Sequence, residues 1–382
     1  MSGRCITFTG GFSRLRAAFL IAGTAIGAGE LGLPMALSKA GYVPAFFGTL
    51  LVYLCMLASG MLTTKLFLNS HAEDLPSLFR SHLGKCWAGV FNCSYFALAF
   101  CLLVAYWSGL FSLLGGTKLA LAVLGIFAGI LFMGLGGKFL FVTQMNTLLT
   151  AALVAVFCAL IVYGFTHGNQ PIAGHQSWKH LPCGLPVILC SFGYHQVIPI
   201  VCKQLGSNKR VIFSTLILGT ILPLLFALSV FTLGFHLFSP EELALAAKRG
   251  IPMFALLRDS AISKPLVCLG RCFSLLAIGT SLLGISLAMR GAINDLLRGK
   301  NRFRMKEMLV LLPFPIAMLN PGLFLFVLGL CGGIFGNLIA GIIPVMPFLL
   351  ADRFRFRYLL LWGIFVGIFA IEVSQIVRAA IC

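Results

Sequence analysis

Acidic side chains are scarce in this chain: ten Asp and Glu stand among 382 residues, against 28 Lys and Arg. Charged residues of both signs make up 10%, where a soluble domain carries about 25%. That scarcity excludes an acid-rich metal cluster and leaves too few carboxylates for a catalytic constellation at helical spacing. HExxH, GxSxG and CxxC are all absent. The Gly-rich run that ends at Pro34 follows no strand, and Pro34 rather than Lys-Ser/Thr comes after it, so it is no nucleotide-binding loop. No polar stretch is long enough to form a separate soluble domain. Neither a cofactor nor a metal ion is expected.

The chain is rich in apolar sequence instead. Hydrophobic residues reach 59% and the mean hydropathy is +1.02. A hydrocarbon core of roughly 30 Å is crossed by about 20 apolar residues in a helix. Eleven apolar segments can be counted, at about 13–37, 42–67, 86–114, 118–136, 140–166, 184–204, 210–236, 265–297, 307–319, 322–350 and 358–381. They run continuously rather than alternating, which favours helices over a β-barrel. The expectation is an all-α polytopic membrane protein of about eleven spans. The polar stretch 69–85 has room for a short surface helix, Gly115-Gly116-Thr117 is a tight connection, and the longest polar loop, 239–263, holds the acidic pair Glu241-Glu242. The thirteen cysteines are scattered through apolar segments, and Cys268 with Cys272 is an isolated helical pair. They read as small buried apolar residues rather than a metal or disulfide site.

A net charge of +18 invites a nucleic-acid reading, but the basic residues cluster at the ends of the apolar runs. With the N-terminus inside, eighteen Lys and Arg face the cytoplasm and eight face outside, while Arg271 and Arg290 lie within the eighth segment. The excess supports a cytoplasmic N-terminus and an external C-terminus, with 203–210, 298–306 and 353–357 as the weightiest loops. It also attracts anionic lipid headgroups. Nucleic acid is not an expected partner, and the oligomeric state is not readable. Arg14 and Arg16 before an apolar run imitate a signal peptide, yet the many later spans favour an uncleaved first helix.

Within the first segment, Gly23-Thr24-Ala25-Ile26-Gly27-Ala28-Gly29-Glu30-Leu31-Gly32-Leu33-Pro34 opposes an ordinary helix. Glycine costs about 1 kcal/mol and proline about 3 in a helix interior, and unpaired backbone in hydrocarbon costs more. A second interruption, Cys190-Ser191-Phe192-Gly193-Tyr194-His195 with Pro199 beyond it, lies in the sixth segment, five spans later. Interrupted segments at matching places in two five-helix halves point to an inverted repeat with a mid-membrane site. The whole chain, 1–382, is then one membrane transport domain: repeat 1 about 13–166, repeat 2 about 184–350, and an extra eleventh helix about 358–381. A broken helix aims free N–H groups at an anion and free carbonyls at a cation. A free amino acid carries both charges on one carbon.

Several of these stretches resemble one family. GTAIGAGELGLP is similar to the first-helix signature GTxIGAGxLxLP of bacterial aromatic amino acid permeases, the tyrosine and tryptophan permease family. Ser191-Phe192-Gly193-Tyr194-His195 with Pro199 resembles that family's sixth-helix motif, Thr280-Ser281-Leu282-Leu283-Gly284 its eighth, and Tyr106-Trp107-Ser108-Gly109 its third. The chain departs from the pattern at Glu30, where members commonly carry an apolar residue, and at Arg290-Gly291-Ala292, where they carry Phe-Asp-Tyr; Asp295 matches a following acid. The resemblance implies the leucine-transporter-like 5+5 inverted-repeat fold with discontinuous helices 1 and 6. It also implies proton-coupled uptake of aromatic amino acids, tyrosine or tryptophan, across the bacterial inner membrane.

Candidate substrate-binding residues are Ala25, Gly27, Gly29, Tyr106, Phe192, Gly193 and Tyr194. Gly27 and Gly29 admit a close approach of backbone to ligand. Phe192, Tyr194, Tyr106 and Trp107 offer rings for stacking, or are core. Glu30, His195, Thr280 and Ser281 are candidates for coupling to a proton or a cation such as sodium. A carboxylate at membrane depth is rare and usually functional; Glu30 otherwise pairs with basic residues or with free N–H groups. His195 suits a proton relay, or it is a neutral ring bonded to backbone. Thr280 and Ser281 offer hydroxyls to a cation, or bond back to their own helix. Glu372 in the last span reads as structural or partner-facing. The alternatives are a sodium-coupled or exchanging carrier of other neutral amino acids, and, in different classes, a membrane-embedded enzyme or a channel.

Overall fold

Helix α1 (Gly11–Ala25) stops short of the length a membrane span needs, and the chain restarts as a 3-10 turn (Ala28–Gly32) running into α2 (Leu33–Leu37). Pro34 sits in the first turn of α2, where a missing N–H costs nothing. The computed structural model describes residues 11–136, 139–168, 170–171, 174–206, 208–258, 264–296, 310–351 and 355–381. Among these, every regular element is helical. The basic residues Arg4, Lys138 and Arg353, the run 298–306 and the side chain of Asp295 lie outside the described residues.

After α2 come α3 (Tyr42–Leu68), α4 (Leu75–Leu83), α5 (Lys85–Leu113), α6 (Lys118–Gly136) and α7 (Phe139–His167). α4 is the short helix expected in 69–85. Asp74 caps it, accepting from Ser77 N–H at 2.8 Å, and it lies mainly against α5, with Leu75, Leu78 and Phe79 buried and the Phe79 and Phe91 ring centroids 5.1 Å apart. A 3-10 turn (Trp178–Gly184), α8 (Leu185–Cys190), a second 3-10 turn (His195–Val197) and α9 (Ile198–Leu205) make one interrupted crossing. α10 (Lys209–Leu237) follows. The acidic loop expected over 239–263 instead forms α11 (Pro240–Arg249) in its first part. Its start is a capping box: Glu242 N–H donates to Ser239 Oγ at 3.2 Å, and Ser239 N–H donates to Glu242 Oε2 at 2.8 Å.

α12 (Lys264–Leu296), α13 (Pro313–Leu319) and α14 (Phe324–Leu330) lead into two π-helical stretches, Cys331–Gly336 and Leu338–Ile342. α15 (Ile343–Ala351) and α16 (Arg355–Ile381) complete the chain. The π-helical stretches fall in what the sequence presents as one uninterrupted tenth span.

Among the described residues, nine helical segments are long and apolar enough to cross a membrane, from Ser13–Leu37 to Phe356–Arg378, with Lys118–Met133 as a shorter apolar helix. These differ from the eleven expected segments at two places. The fourth is described as apolar only over that shorter stretch. The ninth is described only from Val310, and its helix, α13, is seven residues long and starts at a proline.

α12 lies against α5 and α7, and α1 lies against α10. Leu119, Ile126, Leu148, Val162, Leu350 and Leu360 are exposed, as lipid-facing side chains must be when the surrounding solvent is hydrocarbon. The interrupted helices sit inside this bundle, and the 3-10 turn after α1 touches α8, α10, α12 and α14.

Candidate functional site

The first break is held open by its own acid. Gly27 is extended, with φ −159° and ψ −161°, and its N–H donates to Glu30 Oε2 at 2.9 Å. Glu30 is completely buried. Its Oε1 has no hydrogen-bond partner among the described residues, and no Lys or Arg there pairs with it. The next N–H, of Ala28, donates to Ser281 Oγ on α12 at 3.2 Å. Two donors that α1 cannot satisfy are thus met by a carboxylate and a hydroxyl, as buried backbone requires.

The two breaks abut. A Cβ placed on Gly29 would lie 3.3 Å from Ser191 Oγ, and one on Gly27 would lie 3.0 Å from Ser281 Oγ. Gly29 therefore has α8's last turn against it, and Gly27 has α12. In the second break, Ser191 N–H and Phe192 N–H still bond back to Ile188 and Leu189 carbonyls at 3.1 and 3.2 Å. Ser191 Oγ donates to Val187 O at 3.3 Å. Gly193 and Tyr194 then leave the helix, and Val197 N–H to Tyr194 O, at 3.1 Å, opens the turn into α9.

Each candidate side chain has a definite place. Tyr106, buried on α5, lies within electrostatic reach of Glu30, Cys190 and Ser281. Phe192 is buried edge-on to Tyr53 of α3, ring centroids 5.8 Å apart. Tyr194 sends its hydroxyl to Met56 O at 3.2 Å and fills the space beside Gly60. Ala25 packs in the same buried cluster as Tyr194. His195 is buried beside the Tyr194 ring, centroids 4.7 Å apart, and neither ring nitrogen has a partner among the described residues. Thr280 Oγ1 donates to Leu276 and Ala277 carbonyls at 2.9 and 3.2 Å. Trp107 points away, into a cluster with Phe127 and Phe314 at 5.9 and 4.8 Å.

Glu30, Gly29, Tyr106 and Ser281 therefore come together at the first break, while Tyr194, His195 and Ala25 form a second group on its α9 side. Glu30, Gly29, Tyr106, Tyr194, His195 and Ala25 are buried, while Gly27, Gly193, Thr280 and Ser281 are half-buried. Among the described residues, one cleft of about 500 Å³ lies between α4 and the start of α5, and an apolar one of about 280 Å³ lies at Tyr42–Phe47. Tyr53, Gly60 and Ser191 join the site without having been singled out as site residues. Ser191 at least stands within the second interruption, but nothing in the sequence of α3 distinguishes Tyr53 or Gly60.

An interrupted pair of helices meeting over an acid is a transporter's geometry, and comparison with known proteins agrees. The tryptophan/tyrosine permease family matches residues 12–378. This chain belongs to that family. It is 30% identical over 349 residues to the tryptophan-specific transport protein of Pseudomonas aeruginosa, covering 84% of this chain and 82% of that one. It is 28% identical over 370 residues to the protein of the same name from Shigella flexneri, covering 91% and 88%. A relative from Aliivibrio fischeri, 25% identical over 345 residues and covering 84% and 85%, is named glutamine transporter 2. The permease is thus a multi-pass transport protein rather than an enzyme.

Proposed function

We propose that this permease imports an aromatic amino acid, tryptophan or tyrosine, in symport with a proton. The observation that carries the reading is the meeting of the two breaks at Gly29 and Ser191, with Glu30 holding the Gly27 N–H. A substrate carboxylate needs that same donor. Glu30 holds that donor and must release the N–H when substrate arrives. Taking up a proton is the simplest way for a buried carboxylate with no basic partner to let go, so substrate and proton enter together.

In this reading Ala25, Gly27, Gly29 and Gly193 present backbone to the amino and carboxylate groups, and Tyr106, Phe192 and Tyr194 wall the aromatic ring. Glu30, His195, Thr280 and Ser281 serve the coupling ion. Two inverted five-helix repeats, 13–166 and 184–350, rock about this site to open it alternately to either side, and 358–381 is added to that frame. The protein sits in the bacterial inner membrane with its N-terminus cytoplasmic and its C-terminus outside, as its basic loops require.

On the substrate alone, the glutamine-named relative favours a second reading, a sodium-coupled or exchanging carrier of other neutral amino acids. Uptake into proteoliposomes separates the two. A pH gradient, acid outside, with no sodium present, is expected to drive accumulation. Accumulation only when a sodium gradient replaces it would overturn proton symport.

A further inference from the structure

α16 is mostly bathed in lipid, and its buried residues form one narrow stripe: Tyr358, Phe365, Ile368 and Glu372. Glu372 closes that stripe at 4% exposure. No Lys or Arg among the described residues pairs with it. It fits a notch in the tenth span cut by two glycines one turn apart. A Cβ on Gly329 would stand 2.8 Å from Glu372 Oε1, and one on Gly333 would stand 2.6 Å from Glu372 Cβ.

The notch lies where that span turns π-helical. π-Helical segments are rare and gather at functional sites. Asn337, between the two stretches, ties them to α16 as well, donating from Nδ2 to Phe365 O at 2.7 Å and to Gly333 O at 3.2 Å. On the other side of the same turn, Gly332 presses directly on Pro186 O and on Cys190 N of α8. Cys190 is the residue before Ser191, which touches Gly29. A continuous packed path therefore runs from Glu372 through the glycine turn to the half-helix that forms the second break.

We propose that Glu372 is a second proton-responsive residue of the transport cycle, a positioning residue that locks the π-helical turn of the tenth span against α8. With its proton, the carboxyl is neutral and rests in the glycine notch. Without it, a negative charge stands in a lipid-facing layer with no counter-charge, which a bilayer resists strongly. α16 then parts from the notch, and the glycine turn is freed to shift against α8.

The titratable groups that face it do not supply the missing charge. Cys331 of the π-helical stretch lies within electrostatic reach, and Cys190 is its counterpart on α8. On the 3-10 turn before α8, Cys183 offers its carbonyl to Gln375 Nε2 at 3.4 Å, with Lys179 and His180 further along that turn. α15 contributes none.

The inference rests on proton-driven uptake and is tested in the same assay. Reconstituted wild type, Glu372→Gln, Glu372→Asp and Gly329→Ala are compared for initial uptake rate across about pH 5 to 8, with equilibrium binding of labelled tryptophan as the structural control. Glu372→Gln is expected to bind tryptophan within about threefold of wild type, while the pH dependence of its uptake rate is reduced to the part that Glu30 carries and is at least about twofold smaller than that of wild type. Glu372→Asp is expected to restore the wild-type slope. Gly329→Ala, which pushes a methyl group at the carboxyl, is expected to shift the profile with binding kept. A Glu372→Gln profile that matches wild type overturns the inference. So does loss of binding in Glu372→Gln and Glu372→Asp alike, which marks a packing role. If Glu372→Gln does not reach the membrane, an unshifted Gly329→Ala profile overturns it. A wild type with no pH-driven uptake at all contradicts the proposed function instead.

Discussion

Glu30 is the residue on which the proposed coupling turns. Its carboxylate is spent on one backbone donor, Gly27 N–H, and its other oxygen has no partner among the described residues. Replacing it with Gln keeps the shape and an acceptor oxygen but removes the proton site. Glu30→Gln is expected to flatten the pH dependence of initial uptake while retaining substrate exchange at constant pH. An unchanged pH profile would remove Glu30 from the coupling. The position of Glu30, Gly27 and Gly29 was legible in the sequence because helix-opposing residues in an apolar run have few physical explanations. What the acid bonds to was not legible. Pairing with basic residues and pairing with free N–H groups fit the sequence equally, and only the extended backbone at Gly27 decides for the second.

At the scale of elements, the two interrupted helices, the short α4 and most of the spans follow from the pattern of apolar runs, prolines and caps. α11 did not: its apolar face is narrow, and the box formed by Ser239 and Glu242 is visible only when read as a cap rather than as an acidic loop. The π-helical turn was hidden for a different reason. Gly332, Gly333 and Gly336 look like ordinary small residues of a membrane helix, where glycine is common. The rotation of α12 was equally hidden, because a helix apolar all round has no reliable inward face.

That rotation separates Thr280 from Ser281. Thr280 donates within its own helix, while Ser281 accepts from Ala28 N–H across the break. Ser281→Ala strands that donor, a loss of about 1–3 kcal/mol, and is expected to weaken tryptophan affinity about tenfold or more. Thr280→Ala removes only a back-bond and is expected to change affinity less than about threefold. Binding titrations of the two variants check this; equal effects would contradict the assigned rotation.

For the whole molecule, the excess of basic residues is what supports the proposed orientation. Cys86, at the start of α5, and Cys183, just before α8, are both exposed and are assigned to opposite sides of the membrane. In intact cells, single-cysteine versions are expected to react with a membrane-impermeant maleimide at Cys183 and not at Cys86. The reverse pattern would invert the orientation. The class of protein was legible from composition and from the two breaks, and the family from the motifs that surround them. The side chains that surround the two breaks were legible only in part. Phe192 and Tyr194 stand in the broken sixth segment, but Tyr53 and Gly60 reach it from α3, a helix whose sequence gives no sign of facing a ligand.

The central claim is that the two breaks form one site for an aromatic amino acid. The most direct measurement is accumulation of labelled amino acids by purified protein in proteoliposomes under an imposed pH gradient. The account predicts that tryptophan or tyrosine accumulates above its external concentration and that the gain collapses when the gradient is dissipated. Accumulation of glutamine, leucine or serine with no accumulation of any aromatic amino acid would contradict it.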